Sequence, residues 1–176
     1  EEQKLKYVPK LATGEWFGSY CLTEPSAGSD ANSGKTKAEL SEDGTHYKIT
    51  GQKMWISNAG FCNLMIVFAR IEDDKYITGF IVEYDPENPN GITMGEEEHK
   101  LGIRASSTCE LILEACKVPK ANVLGEVGKG YKAAITTLNE GRIGIGAQMV
   151  GLTQGSLDVT LKYAKERIQF GKSIST

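Results

Sequence analysis

A change of periodicity near residue 120 constrains this chain more than any other feature. Beyond Asn122, apolar residues recur at every seventh position, which is the spacing of a helical seam. These residues are Tyr131, Leu138, Ile145, Leu152 and Val159. The spacing predicts one long helix from about Lys129 to about Ile168. Five glycines interrupt it, at roughly 0.5–1 kcal/mol each in a helix interior. We therefore expect close packing against partner helices that lie outside this chain.

Between Trp16 and Pro119 short runs rich in β-branched and aromatic residues alternate with turn signals. Lys35–Leu40 and His46–Thr50 flank Asp43-Gly44, a strong hairpin dipeptide. The remaining predicted strands are Trp16–Leu22, Met54–Ser57, Leu64–Ala69, Ile77–Glu83, Gly91–Gly95 and Thr108–Leu113. About eight short strands at regular spacing predict a barrel or sandwich of antiparallel type. The fold class is therefore mainly β with a long C-terminal α-helix.

Charge and composition exclude several classes of function. The 176 residues carry 20 Lys and Arg against 23 Asp and Glu, a formal net charge of −3. A nearly balanced chain has no electrostatic reason to bind nucleic acid or an anionic membrane. No apolar run approaches the roughly 20 residues of a transmembrane helix, and no signal segment opens the chain. Because the chain begins with Glu1, we expect it to be part of a longer protein.

The cysteines and histidines predict neither a metal site nor a disulfide framework. The four cysteines contain no CxxC pair, and the chain has only two histidines. A reducing compartment is therefore expected. Gly125–Gly130 is rich in glycine before the predicted helix, but it lacks the order of the dinucleotide and P-loop motifs. We interpret it as a loop-to-helix turn, and no strand–helix–strand alternation supports a Rossmann unit.

Two segments have the composition of a ligand site. Tyr20–Asp30 leaves a strand with a hydroxyl at Thr23 and turns through small residues to a second hydroxyl at Ser29. Exposed amides and hydroxyls suit a pyrophosphate or a flavin edge, and an ordinary polar turn is the alternative. Lys53–Asn58 places Trp55 and Ser57 on one face of a strand. An aromatic ring beside a hydroxyl donor fits a tricyclic ring, with core packing of the Trp as the alternative.

Two further segments lie on the predicted helix and at its end. Asn139 and Arg142 share a helix face at i, i+3, which indicates either a structural salt bridge or ligand recognition. Glu166–Lys172 marks the point where the helix ends.

Taken together, these segments resemble the acyl-CoA dehydrogenase family over nearly the whole chain. Tyr20–Asp30 is similar to the first family signature, and Gln52–Asn58 is similar to its second flavin segment. Four more segments follow in order at the family's spacing: Ser106–Thr108, Lys117–Pro119, Asn139–Arg142 and Glu166–Lys172. The resemblance implies the end of a helical N-terminal region at 1–15, a flavin- and acyl-CoA-binding β-domain at 16–121, and the first helix of a C-terminal bundle at 122–176.

The resemblance also implies FAD as the cofactor and assigns residues to it. Thr23 and the amide near Leu22 would bond the pyrimidine end of the flavin, and Ser57 would bond near N5 with Trp55 packed against the ring. Ser29 would meet both the FAD pyrophosphate side and the acyl-CoA pantetheine. The complete cofactor set is Tyr20, Leu22, Thr23, Gly28, Ser29, Trp55, Ile56, Ser57, Arg167 and Phe170. Arg167 and Phe170 would contact the FAD of a neighbouring subunit.

On the substrate side the resemblance assigns Ser29, Tyr131, Asn139 and Arg142 to acyl-CoA. It implies oxidation of an acyl-CoA thioester to the trans-2-enoyl-CoA, with an electron-transfer flavoprotein as acceptor and a homodimer or homotetramer as the assembly. The family's Glu base is expected beyond Thr176, so no catalytic residue is assigned in this chain. A bacterial cytoplasm and a mitochondrial matrix both fit. The alternatives are an acyl-CoA oxidase and a non-catalytic FAD, acyl-CoA or partner-binding module.

Overall fold

The computed structural model describes residues 1–176, which form two compact units, 1–134 and 135–176. The first unit opens with helix α1 (Glu2–Thr13). The eight strands of this unit are β1 (Gly18–Cys21), β2 (Lys37–Leu40), β3 (His46–Ser57), β4 (Leu64–Ile71), β5 (Ile77–Glu83), β6 (Ile92–Glu97), β7 (Thr108–Pro119) and β8 (Val123–Leu124). Helix α2 (Gly130–Glu166) begins in this unit and continues into the second, where β9 (Ile168–Gln169) and β10 (Lys172–Ser173) form a small hairpin.

The eight strands form one sheet in the order β6-β7-β3-β2-β4-β5-β8, and β1 pairs with β4 beside this path. The mainly β class is confirmed, but two details of the prediction are not. The sheet does not close on itself, so a barrel is not confirmed. The sheet is also mixed rather than antiparallel, because β1 and β2 both run parallel to β4. The long connections that return the chain to β4 permit these parallel pairs, which hairpin turns could not form.

Strand β3 joins two strands that the sequence predicts separately. Gly51 lies between these two predicted strands, yet β3 passes through it with an irregular register against β7. A Cβ at Gly51 would lie 2.5 Å from Oγ1 of Thr36, so the glycine permits a close approach of two chain segments and does not end the strand. The hairpin prediction is confirmed: β2 and β3 pair antiparallel around Asp43 and Gly44, and Gly44 has a φ of 67°.

The core of the first unit lies against the sheet and consists of aliphatic and aromatic side chains from almost every strand. Its fully buried members include Ile49, Ile56, Met65, Val67, Phe80, Leu111 and Leu113. Six of the seven residues of β5 are buried, which indicates cover on both faces of that strand. Helix α1 provides part of this cover, because Tyr7 packs with Leu64 and Ile81 and donates a 2.7 Å hydrogen bond to Glu83.

Helix α2 confirms the long helix that the seven-residue spacing predicts. In the second unit its apolar side chains are exposed, with Ile143 and Val159 more than 70 % accessible. This exposure agrees with the expectation of helical packing partners outside the chain. Neither helix is at once long enough and apolar enough to cross a lipid bilayer. All four cysteines are buried free thiols, and burial raises the pKa of each of them.

Candidate functional site

The second predicted segment lies on an irregular stretch of β3. Between Lys53 and Ile56 the pairing with β7 shifts register, and Trp55 at this position has a φ of 57°. A bulky residue in the left-handed region is a conformational outlier that the surrounding structure must hold in place. The Trp55 side chain is 61 % exposed, so it does not pack in the core. The core-packing alternative for this Trp is therefore wrong, and the ring is available to a ligand or a partner.

Backbone and side-chain bonds join the two segments. The Met54 amide donates to the Thr23 carbonyl at 2.9 Å. The Ser19 hydroxyl, on β1, donates to the Ser57 carbonyl at 2.9 Å, and the Asn58 side-chain amide donates to the Gly18 carbonyl at 3.2 Å. The end of β1 and the bulged end of β3 therefore form one surface, although they are more than thirty residues apart in the sequence.

A buried ion pair connects the same two segments, and the sequence interpretation missed it. The Lys53 ammonium lies 2.7 Å from a carboxylate oxygen of Glu24, and the two side chains are only 1 % and 5 % exposed. Burial lowers the pKa of Lys53, and the Glu24 carboxylate partly opposes that shift. Burial alone would raise the pKa of Glu24, but the ammonium and the surrounding hydrogen bonds lower it below its ordinary value. The sequence signal was available: Lys53 occupies an inward position of a strand, where a charged residue needs a partner.

The polar groups of the two segments suit a ligand that accepts and donates hydrogen bonds. Thr23 is half-buried and Ser57 is exposed, and neither hydroxyl bonds another group in the chain. Leu22 and Ile56 bury their side chains, so only their backbone groups could meet a ligand. The exposed turn that follows is closed by two hydrogen bonds between the backbones of Glu24 and Ala27, at 3.0 and 3.1 Å.

Gly28 and Ser29 lie just beyond that turn and are exposed. A Cβ at Gly28 would meet no atom within 4 Å, so the chain leaves open space beside this backbone. Small residues and open space allow a ligand to approach the main chain closely.

Tyr20 faces helix α2. Its hydroxyl donates to the Ala134 carbonyl at 3.2 Å, and its ring packs edge-on against Phe68 with centroids 5.3 Å apart. Burial raises the pKa of Tyr20 to about 12. This side chain therefore anchors the first turns of α2, and only its backbone is placed to meet a ligand at the β1 end. Tyr131, in the first turn of α2, is 39 % exposed.

The other predicted residues lie in the second unit. The Arg142 guanidinium donates to Oδ1 of Asn139 at 2.9 Å, which confirms that the two share a helix face. Within this chain its partner is an amide rather than a carboxylate. Arg167 follows the end of α2, and Phe170 lies in the β9–β10 turn with a φ of 52° and a fully exposed ring.

Comparison with known proteins shows the class to which this fold and site belong. The sequence profile of the acyl-CoA dehydrogenase middle domain matches residues 19–116, and the profile of the acyl-CoA dehydrogenase C-terminal domain matches residues 128–176. The chain belongs to the acyl-CoA dehydrogenase family, and the resemblance drawn from the sequence segments is confirmed.

Individual relatives match over almost all of the chain. It is 54 % identical to the rat mitochondrial short/branched chain specific acyl-CoA dehydrogenase, over 99 % of this chain and 40 % of the relative. A Bacillus anthracis acyl-CoA dehydrogenase solved with FAD matches with a TM-score of 0.91 and 46 % identity, over 99 % of this chain and 29 % of that one. A structure described as the electron transferring flavoprotein of Acidaminococcus fermentans matches with a TM-score of 0.88 and 44 % identity. That match covers 99 % of this chain and 46 % of the other one. The chain thus spans about 40 % of the length of the curated relatives that it matches first.

Proposed function

We propose that this chain is the FAD- and acyl-CoA-binding part of an acyl-CoA dehydrogenase. The whole protein would oxidise an acyl-CoA thioester between Cα and Cβ to the trans-2-enoyl-CoA. One observation carries the proposal: the Tyr20–Asp30 and Lys53–Asn58 segments form one surface that presents an exposed Trp55 beside the unpaired hydroxyls of Thr23 and Ser57. Membership of the family supports the same activity.

The residues on this surface fit an isoalloxazine ring. The exposed Trp55 side chain offers a flat apolar face, and the hydroxyls of Thr23 and Ser57 can donate to ring nitrogen and oxygen atoms. When bound, FAD supplies the acceptor for the hydride that leaves the substrate β-carbon. In this proposal Thr23 and the backbone of Leu22 hold the pyrimidine end, Ser57 donates near N5, and the backbone of Ile56 completes the contact.

The exposed turn and the second unit complete the proposed binding set. Gly28 and Ser29 would meet the pyrophosphate, and Ser29 would also meet the pantetheine of acyl-CoA. Tyr131 would line the acyl-CoA pocket, and Asn139 with Arg142 would hold the CoA end through the paired face that they form. We propose that Arg167 and Phe170 contact the FAD of a neighbouring subunit, since Phe170 projects fully into solvent.

The proposal has consequences for organisation and partners. It assigns 1–15 to the end of a helical region, 16–121 to the β-domain and 122–176 to the first helix of a bundle. The catalytic base would be a Glu that lies beyond Thr176, outside this chain. An electron-transfer flavoprotein would accept the electrons, a homodimer or homotetramer would complete the cofactor site, and the compartment would be a bacterial cytoplasm or a mitochondrial matrix.

Purification and assay of the full-length protein test the proposal. We expect a yellow protein with one FAD per subunit, and bleaching of the flavin when acyl-CoA is added under anaerobic conditions. Dye or electron-transfer flavoprotein should then be reduced. A protein without flavin, or a flavin that no acyl-CoA reduces, would refute the proposal. Hydrogen peroxide at the rate of turnover, without a dye, would assign the oxidase activity instead.

The isolated 176-residue chain provides a second test, which concerns the non-catalytic alternative. It should show no dehydrogenase activity and retain little FAD, because the base and the remaining bundle helices are absent from it. One equivalent of FAD retained through gel filtration would contradict this expectation and favour an autonomous binding module.

A further inference from the structure

The buried pair of Glu24 and Lys53 makes hydrogen bonds to several backbone groups in addition to the ion pair itself. Lys53 has three N–H donors, and all three have acceptors: Glu24 at 2.7 Å, the Leu22 carbonyl at 3.2 Å and the Phe68 carbonyl at 2.6 Å. Leu22 follows β1, Lys53 lies in β3 and Phe68 in β4. The Lys53 side chain therefore links its own strand to two other segments that neighbour the candidate site.

Glu24 extends the same network to a fourth segment. Its carboxylate accepts from the backbone amides of Lys35 at 2.5 Å and Thr36 at 3.2 Å. Gly34 makes room for that carboxylate, because a Cβ there would lie 2.8 Å from the nearer oxygen. The segment 24–36, which carries Gly28 and Ser29, is thus held at both of its ends, at Glu24 and at residues 35–36.

The groups that the pair holds are adjacent to those assigned to the flavin. Leu22, whose carbonyl accepts from Lys53, precedes Thr23, and Thr23 in turn accepts from Met54. Two residues beyond Lys53 the chain reaches Trp55 in its strained conformation. Such a conformation persists only where surrounding contacts determine it. Lys53 lies directly before this bulge, and its hydrogen bonds fix the position of the chain where the bulge begins.

Stability alone is a poor explanation for a buried ion pair. Moving two charges out of water costs about as much as their attraction returns, and apolar residues of similar volume often serve equally well. Apolar side chains in these positions could not bond the Leu22 and Phe68 carbonyls or the amides of residues 35 and 36. The ion pair therefore holds specific backbone groups in place through hydrogen bonds, which an apolar pair could not do.

We propose that Lys53, together with Glu24, is a positioning residue that aligns the Thr23 and Trp55–Ser57 groups toward the flavin without touching it. This inference rests on the proposed function. It predicts that loss of the pair impairs flavin binding and reduction beyond what the accompanying loss of stability explains.

The test uses the full-length protein and three variants. Lys53→Met removes the donors and leaves a lone buried carboxylate. Lys53→Met/Glu24→Gln removes both charges and keeps an acceptor for the amides of residues 35 and 36. Val118→Ala is the control, because Val118 is buried and pairs with Tyr47, at the end of β3 opposite to Lys53 and Trp55. Melting temperature, FAD content and the anaerobic rate of flavin reduction by acyl-CoA are measured for each.

We expect Lys53→Met to lower the melting temperature and to slow reduction by about ten- to a hundredfold, which is the effect of displacing a reacting group by about 1 Å. The double variant should recover much of the melting temperature without recovering the reduction rate, since the Leu22 and Phe68 carbonyls still lack their donor. Val118→Ala should lower the melting temperature and leave the reduction rate unchanged. If Lys53→Met does not fold, Glu24→Gln is compared with Val118→Ala in the same way.

Two results would overturn the inference. Reduction rates that follow the melting temperature across all variants would show a purely structural pair, as would a double variant that recovers both quantities. The wild-type protein separates this failure from failure of the proposed function. A wild-type protein without acyl-CoA-dependent bleaching refutes the function, whereas normal bleaching in wild type and in the Lys53 variants refutes only the positioning role.

Discussion

Replacement of Ser57 by alanine should separate the chemistry of the site from its stability. Ser57 is exposed at the end of β3, where its backbone pairs with Thr108 and its carbonyl accepts from Ser19. Alanine retains both backbone interactions. The hydroxyl bonds nothing else in the chain, so its removal leaves no buried group unpaired. Surface substitutions of this kind change the free energy of unfolding by about 0.5 kcal/mol or less.

The effect on flavin reduction should be far larger. In the proposed site the Ser57 hydroxyl donates to a position where negative charge develops as the ring is reduced. Loss of one such donor costs at most about 2.7–4 kcal/mol of transition-state stabilisation, which is about 10²–10³ in rate. The expected signature is therefore a strongly reduced rate of flavin reduction in a protein with an unchanged melting temperature.

Anaerobic stopped-flow absorbance at saturating acyl-CoA measures this rate directly in the full-length protein. Ser57→Thr is the matched control, because it keeps the hydroxyl on a β-branched side chain that a strand accommodates well. It should reduce at nearly the wild-type rate. Equal rates for Ser57→Ala, Ser57→Thr and wild type would refute the reasoning and remove Ser57 from the flavin site.

Three further predictions concern the glycines and the buried carboxylate. Gly34→Ala should destabilise the protein by about 1–3 kcal/mol, because the added methyl group would overpack against the Glu24 carboxylate. Gly28→Ala is the control: it has open space around it and should change the free energy of unfolding by less than about 0.5 kcal/mol. Urea unfolding measures both variants. Gly91→Ala should cost clearly more than Gly44→Ala: both have positive φ, worth about 1–2 kcal/mol for alanine, but only Gly91 would also collide with the backbone of β7. Because the pKa of Glu24 is lowered in the folded state, the unfolded chain takes up the proton first, and stability should fall as pH drops from about 4.3 toward the lower folded value. Glu24→Gln should reduce this loss of stability at low pH, which unfolding measured as a function of pH would show. An unchanged loss of stability would contradict the role given to Glu24.

Local patterns were sufficient for much of the fold. The hairpin at Asp43-Gly44 depends on two adjacent turn residues, and the helix at 130–166 depends on a repeat that survives five interior glycines. Strand β3 was predicted in two pieces, since a glycine that permits close approach to Thr36 looks the same in sequence as a glycine in a turn. The parallel pairs with β4 were also missed, because strand direction depends on connections between distant segments.

The sequence by itself determined the family, the two segments of the candidate site and the change from strands to a long helix. Each of these depends on residues that are close together along the chain. Only the tertiary structure decided how those segments meet. It exposed the Trp55 ring at a register shift and turned the Tyr20 hydroxyl toward Ala134. It also buried Lys53 against Glu24, where the ammonium bonds the carbonyls of Leu22 and Phe68. These outcomes follow from packing and from the need of every buried charge and backbone group for a partner, which is a property of the assembled fold rather than of any one segment.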